Sequence, residues 1–225
     1  MYSKKIIGTK MQILAHRGLW ETKSEQNSLN SLKMAFDNGF GVETDIRDYE
    51  NNLIISHDIP TNNPVYFEDL LKIYTQHPLR DSIYLALNIK SDGIQRMLKN
   101  ILEKYDIKKY FVFDMSTPEM VQSRKLQLSF YTRQSDIESP VLYNESSGVW
   151  LDDFSGKWFP DEILKKHLEI KKNIAIVSEE LHGRPCEEKW EYYKSFFISN
   201  PAKNQFIFLC TDRPYEANTF FNNSI

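Results

Sequence analysis

The 225-residue chain is 41% hydrophobic and 26% charged, an ordinary balance for a folded globular protein, and long enough for one substantial core or two small ones. With 31 acidic against 28 basic side chains and a net charge of −3, no general basic field draws it to nucleic acid or anionic membrane, so any anion it binds is held by a local site. No run approaches the roughly 18 apolar residues of a spanning helix and the N-terminal "MYSKKIIGTKMQILAHRG" has no apolar signal core; with Cys186 and Cys210 outside any metal-type spacing, this reads as a cytoplasmic protein with free thiols.

The first apolar run, "QILAH" (12–16), stops at His16 and Arg17 with no polar transition. A helical pattern over 28–38 leads to "GVETDI" (41–46), where Glu43 and Asp45 share one face. An extra short strand, "NLIISHD", ends on His57 and Asp58. Next come a helix over 67–76, the strand "SIYLALNIK" (82–90), a helix over 93–105 and the strand "YFVFDM" (110–115). The helix over 117–125 opens on "STPEM", with Ser116 as N-cap, Pro118 early and Glu119 in the first turn. "LSFYT" (128–132) is followed by 134–147, which shows no convincing helix, and then "GVWLD" (148–152). A helix over 161–170, "NIAIVSE" (173–179), a helix over 187–198 and "QFIFLCT" (205–211) complete the order. No Pro/Gly/Ser-rich linker divides the chain, so one domain over 1–225 is expected.

Eight strands alternating with helices permit a closed (β/α)₈ TIM barrel or an open doubly wound sheet. In "IYLALNIK", Ile83, Leu85, Leu87 and Ile89 form one apolar face, while Tyr84, Ala86, Asn88 and Lys90 form the other. Strands of an open doubly wound sheet are apolar on both faces, so polar residues collected on one face at the C-terminal ends favour the barrel. No glycine-rich phosphate loop supports a nucleotide-binding alternative.

At those strand ends stand His16, Arg17, Glu43, Asp45, His57, Asn88 and Lys90. Two carboxylates can hold a divalent cation through oxygen. Arg17 and Lys90 can neutralise a phosphate, and two histidines can serve as general base and general acid. Alone, each histidine is more simply a strand-end residue; together with the carboxylates they make a coherent set.

These residues carry a resemblance. His16-Arg17-Gly18, "EQNSLNSLKMAFDNGFG", Glu43-Thr44-Asp45 and His57-Asp58, followed by "LNIK", "FDMSTPEM" and the C-terminal "TDRP", resemble the glycerophosphodiester phosphodiesterase family in order along nearly the whole chain. The resemblance implies a TIM barrel, one divalent cation (Mg²⁺ or Ca²⁺), His16 and His57 as the acid/base pair, and hydrolysis of a glycerophosphodiester-type bond. Glu43 and Asp45 would be metal ligands, with Asn88 as the third, and Arg17 and Lys90 would hold the phosphate.

Three departures qualify it. Asn88 stands where the family has a carboxylate, Gln26 stands where it has a glutamate, and little of the usual insertion after strand two is present, only "IPTNNPVY". An amide oxygen can ligate a hard cation but brings no charge, so Asp114 and Glu179 are candidate replacements. A shallow site would suit a polymeric diester or lipid headgroup as well as a small molecule. The main rival is a barrel that binds phosphate-bearing ligands without turnover; a glycosidase using Glu43 and Glu179 would explain neither the histidines nor Arg17. His77, His167 and the lysines of "ILKKHLEIKKN" read as polar surface; His182, which faces the mouth in a barrel and could contact substrate, reads more simply as a helix-capping or loop residue, and Trp20 and Trp150, which could offer apolar contact to a substrate headgroup or glycerol, as packing residues.

Overall fold

The computed structural model describes residues 10–60, 62–202 and 204–222. The start of the N-terminal stretch, residues 1–9, on which the absence of a signal core was partly read, lies outside them. Strands and helices alternate: β1 (Met11–His16), α1 (Leu29–Asp37), β2 (Gly41–Tyr49), β3 (Asn52–Ile55), β4 (Val65–Tyr66), α2 (Phe67–Gln76), β5 (Leu85–Ile89) and α3 (Gln95–Lys104). They continue through β6 (Tyr110–Phe113), α4 (Thr117–Lys125), β7 (Tyr131–Gln134), β8 (Gly148–Leu151), α5 (Asp161–Glu169), β9 (Asn173–Val177), α6 (Glu187–Ser199), β10 (Ile207–Thr211) and α7 (Pro214–Asn222).

Eight strands pair in parallel in two arms from β1: β1–β2–β5–β6 on one side and β1–β10–β9–β8–β7 on the other. The ends of the arms, β6 and β7, meet at a single parallel bridge, Val112 with Phe130, where the Val112 N–H donates to the Ser129 carbonyl at 2.9 Å. The architecture is α/β and TIM-barrel-like. β3 and β4 fold back antiparallel onto the extension of β2, so the short segment after strand two continues as a small meander.

The strand alternation divides the buried residues into two clusters. Leu14, Ala86, Phe111, Phe113, Tyr131, Trp150, Ala175, Val177, Phe208 and Cys210 fill the space inside the strands. Phe111 stacks on Tyr131 and Phe113 on Trp150, both at 3.8 Å between centroids. The opposite set, including Ile13, Val42, Leu85, Leu87, Ile174 and Leu209, meets the helices. Tyr84 and Ala86 therefore point inward and Leu85 and Leu87 outward, as the pattern of strand "IYLALNIK" requires.

The helices form where apolar residues recur at helical spacing. In α1, Leu32, Ala35 and Phe36 are buried and Ser28 Oγ accepts from the Ser31 N–H at the N-cap. The stretch between β7 and β8 contains no helix, as its sequence indicates. Ser116 precedes α4, but its hydroxyl donates to Asp92 (2.9 Å) instead of capping the helix. α7 was not anticipated. Pro214 opens it, Ala217 and Phe221 are its buried residues, and Asn222 exchanges two hydrogen bonds with the Met11 backbone.

Two surface assignments are corrected. His167 is buried, its Nδ1 2.5 Å from the Tyr143 hydroxyl, and burial pushes its pKa down to about 4. Lys172 is buried too and donates to the carbonyls of Asn144 and Ser146. In both places the tertiary contact lies across from α5, where helical periodicity shows nothing. Cys186 and Cys210 are free and buried. No helix among the described residues is long and apolar enough to cross a membrane.

Candidate active site

β1 ends in a sharp reversal. Arg17 has φ 58° and Gly18 φ 93°, and a Cβ on Gly18 would lie 2.5 Å from the Ser31 carbonyl carbon, which is why the Arg is followed by glycine. The turn is fixed by the Arg17 N–H donating to the Glu43 carbonyl and the Asn27 N–H donating to the Arg17 carbonyl, each at 2.9 Å.

His16 projects from the end of β1 with Nδ1 2.7 Å from Asp212, just past β10, and Nε2 3.9 Å from Glu43 on β2. Burial disfavours the imidazolium, but the Asp212 hydrogen bond and the charges of Glu43 and Asp212 outweigh it, so the His16 pKa is raised. Burial and the neighbouring Asp45 charge push the Glu43 carboxyl up to about 7.

Asp45 is fully buried among donors. Arg17 Nε lies at 3.1 Å, Lys90 Nζ at 3.3 Å, and Asn27 Nδ2 donates to it at 2.8 Å. Asn27 is itself held by the Thr44 hydroxyl at 2.7 Å. Asn88 pairs in register with Asp45 across the β2–β5 ladder. Glu43 Oε2, Asp45 Oδ1 and Asn88 Oδ1 are buried, and none accepts a hydrogen bond from a described residue. Asp45 Oδ1 still faces Lys90 Nζ at 3.3 Å and Glu43 Oε2 faces His16 Nε2 at 3.9 Å, so the pair of carboxylates sits among cations with hydrogen-bonding capacity unused, and the Asn88 amide oxygen accepts nothing.

The structure thus brings His16, Arg17, Glu43, Asp45, Asn88 and Lys90 together. His57 is placed differently. The Ser56 N–H donates to the Asp45 carbonyl, which sets the His57 backbone beside the site. Its ring is 47% exposed and bonds Asp58 (2.8 Å), with no contact to His16 or the carboxylates among the described residues. Of the candidate replacement carboxylates, Asp114 (φ 69°) bonds Arg133 at 2.6 Å and lies 3.7 Å from Lys90, while Glu179 is buried against Arg184 Nε at 2.5 Å. Gln26 accepts from Arg17 at 3.3 Å. Trp20 donates its indole N–H to the His16 carbonyl and Trp150 is an interior packing residue.

Two contributors had been assigned no role from the sequence. Asp212 and Asn27 both stand inside quoted motifs, "TDRP" and "EQNSL", and that is the signal that pointed to them. Among the described residues no group of three His, Cys, Asp or Glu side chains is arranged to hold a metal, and Asn88, beside Asp45 in register, brings an amide and no charge.

The fold, with polar groups gathered at the C-terminal strand ends, is that of a TIM-barrel-like α/β protein. No family model and no curated protein matches the sequence. Among solved structures, a glycerophosphodiester phosphodiesterase from Parabacteroides distasonis superposes with a TM-score of 0.71 at 15% identity, covering 96% of this chain and 99% of that one. A second, from Agrobacterium tumefaciens, gives 0.62 at 15% identity over 91% and 97%. A tryptophan synthase α-subunit from Pyrococcus furiosus gives 0.54 at 13% identity over 96% of both chains. Likeness at these identities establishes the shared fold; function rests on the site.

Proposed function

We propose that the protein is a metal-dependent phosphodiesterase acting on a glycerophosphodiester-type bond. The observation that carries the reading is the set of three buried oxygens that accept no hydrogen bond, Glu43 Oε2, Asp45 Oδ1 and Asn88 Oδ1, beside Arg17 and Lys90, which pair with Asp45. Oxygen donors of this kind suit Mg²⁺ or Ca²⁺, and the residues present fit such an ion with one fewer charge than three carboxylates provide. When bound, the cation supplies charge neutralisation at the phosphoryl oxygens.

The remaining chemistry belongs to the side chains. Arg17 and Lys90 hold the non-bridging phosphate oxygens; their present partner, Asp45, keeps both heads oriented toward the corner. His16, fixed by Asp212, exchanges a proton on one side of phosphorus, and His57 does so on the other. His57 stands half-exposed at the rim after β3, hydrogen-bonded to Asp58. The likeness to two glycerophosphodiester phosphodiesterases and the order of the sequence motifs support the substrate class.

A second reading has its own observation. Asn88 replaces a charged ligand, which favours a barrel that retains phosphate but does not turn it over. Hydrolysis of bis(p-nitrophenyl) phosphate, with and without chelator, in wild type and His16→Ala separates the two. Cation-dependent turnover lost in the variant supports the enzyme; phosphate binding without turnover in either protein supports the binding barrel.

A further inference from the structure

Across the mouth lies a second histidine–carboxylate pair that the proposed chemistry does not use. Asp152 directly follows β8, and His182 closes the single 3₁₀ turn (Glu179–His182) after β9. His182 Nε2 is 2.6 Å from Asp152 Oδ1, and the two side chains are 24% and 17% exposed. β8 stands four strands from β2 in either direction around the ring, so the pair faces Glu43 and Asp45 from the opposite side.

Two observations mark the pair as open toward a ligand. Trp150 belongs to the interior cluster, so the alternation of β8 directs Asp152 inward as well. The charged neighbours are already occupied: Glu179 by Arg184, and Asp153 by Lys189 (2.7 Å). Asp152 Oδ1 takes the His182 bond and the Asp153 N–H (2.8 Å), which leaves Asp152 Oδ2 and His182 Nδ1 without partners among the described residues.

With Nε2–H donating to the carboxylate, both open atoms are acceptors. Two adjacent acceptors suit a group rich in hydroxyl donors, and the carboxylate repels an anionic one. The exposed Phe154 ring, edge-on to His182 at 5.6 Å, adds an apolar wall for the carbons of such a group. We propose that Asp152 and His182 form the subsite for the arm of the diester that crosses the mouth, and that they select an arm carrying hydroxyls, such as glycerol. The proposal rests on the phosphodiesterase reading above.

The test compares glycerophosphoglycerol, hydroxylated on both arms, with bis(p-nitrophenyl) phosphate, which has no donor on either. In His182→Ala and Asp152→Asn, kcat/KM for glycerophosphoglycerol falls about 10- to 100-fold, mainly through KM, the scale of a hydrogen bond to a charged group. Hydrolysis of bis(p-nitrophenyl) phosphate stays within about twofold, which also shows that the variants fold. Equal loss on both substrates, or no loss on either, overturns the subsite. If the wild type hydrolyses neither, the functional reading fails, and calorimetric titration with glycerophosphoglycerol still decides the subsite. Binding at least about tenfold weaker in His182→Ala supports it, and equal or undetectable wild-type binding overturns it.

Discussion

The two halves of the mouth handle buried charge differently. On the β8–β9 side, Asp153 accepts from Lys189, the Gly156 and Trp158 N–H groups and the Ser155 hydroxyl, and Glu179 meets Arg184. Lys189 also lies 3.9 Å over the Phe159 ring. The Asp153 network ties the β8–α5 loop to α6, and the open atoms on this side belong to the neighbouring, partly exposed Asp152–His182 pair. On the β1–β2–β5 side, Asp45 gathers Arg17 and Lys90, yet Glu43 Oε2, Asp45 Oδ1 and Asn88 Oδ1 accept no hydrogen bond from a described residue. Satisfied buried charges hold structure, whereas unsatisfied ones store binding capacity at a cost in stability.

The largest expected effect is on the open side. His16→Ala should lower phosphodiester turnover about 10²- to 10⁴-fold, the scale of a general acid–base group, with the melting temperature little changed. The double variant with His57→Ala should lose far less than the product of the single losses, because groups serving one step are non-additive. A His16→Ala enzyme with full turnover would break the comparison at its functional end.

In the Asp153–Lys189 network the same kind of substitution should cost stability instead. Lys189→Met leaves the buried Asp153 carboxylate without its cation, a loss of about 3–5 kcal/mol. Urea unfolding measures it; a variant as stable as wild type would show that the network is not holding the β8–α5 loop.

His167, away from both halves, supplies a pH control. Its pKa of about 4 in the folded state lies below the 6.5 of the unfolded chain, so the unfolded state takes up the proton first as pH falls. Stability is therefore full above about pH 6.5 and declines toward pH 4 by about 3 kcal/mol. His167→Gln, which keeps an acceptor for Tyr143, should flatten that limb. An unchanged acid slope in the variant assigns it to other groups.

The smallest effect probes the open corner itself. Asn88→Glu adds a carboxylate beside Asp45, and should tighten Mg²⁺ or Ca²⁺ binding by about 1–3 kcal/mol, roughly 5- to 150-fold. Without the cation the added charge should lower the melting temperature, and the cation should restore it. If titration finds the same affinity in both proteins, Asn88 does not face the cation.

Much of this was readable from order and spacing. The alternation in "IYLALNIK" separates the inner cluster from the helix-facing side because a strand has only two faces, and the eight main strands appear where the apolar runs lie. The clustering of His16, Arg17, Glu43, Asp45, Asn88 and Lys90 followed from their common position at strand ends, since parallel strands deliver their C-termini to one side. The last helix, α7, escaped because only Ala217 and Phe221 mark its buried face after Pro214.

What only the tertiary structure decided are partnerships between distant segments. Asp212 meets His16 across 196 residues, and His182 meets Asp152 across 30. Local pattern carries no information about such pairs, because they are made by neighbouring strands whose ends meet only after the sheet curls. For the same reason burial of His167 and Lys172, saturation of Glu179 by Arg184, and the rim position of His57 lay beyond the sequence. Periodicity reports which face a residue is on, and the fold alone determines what stands opposite it.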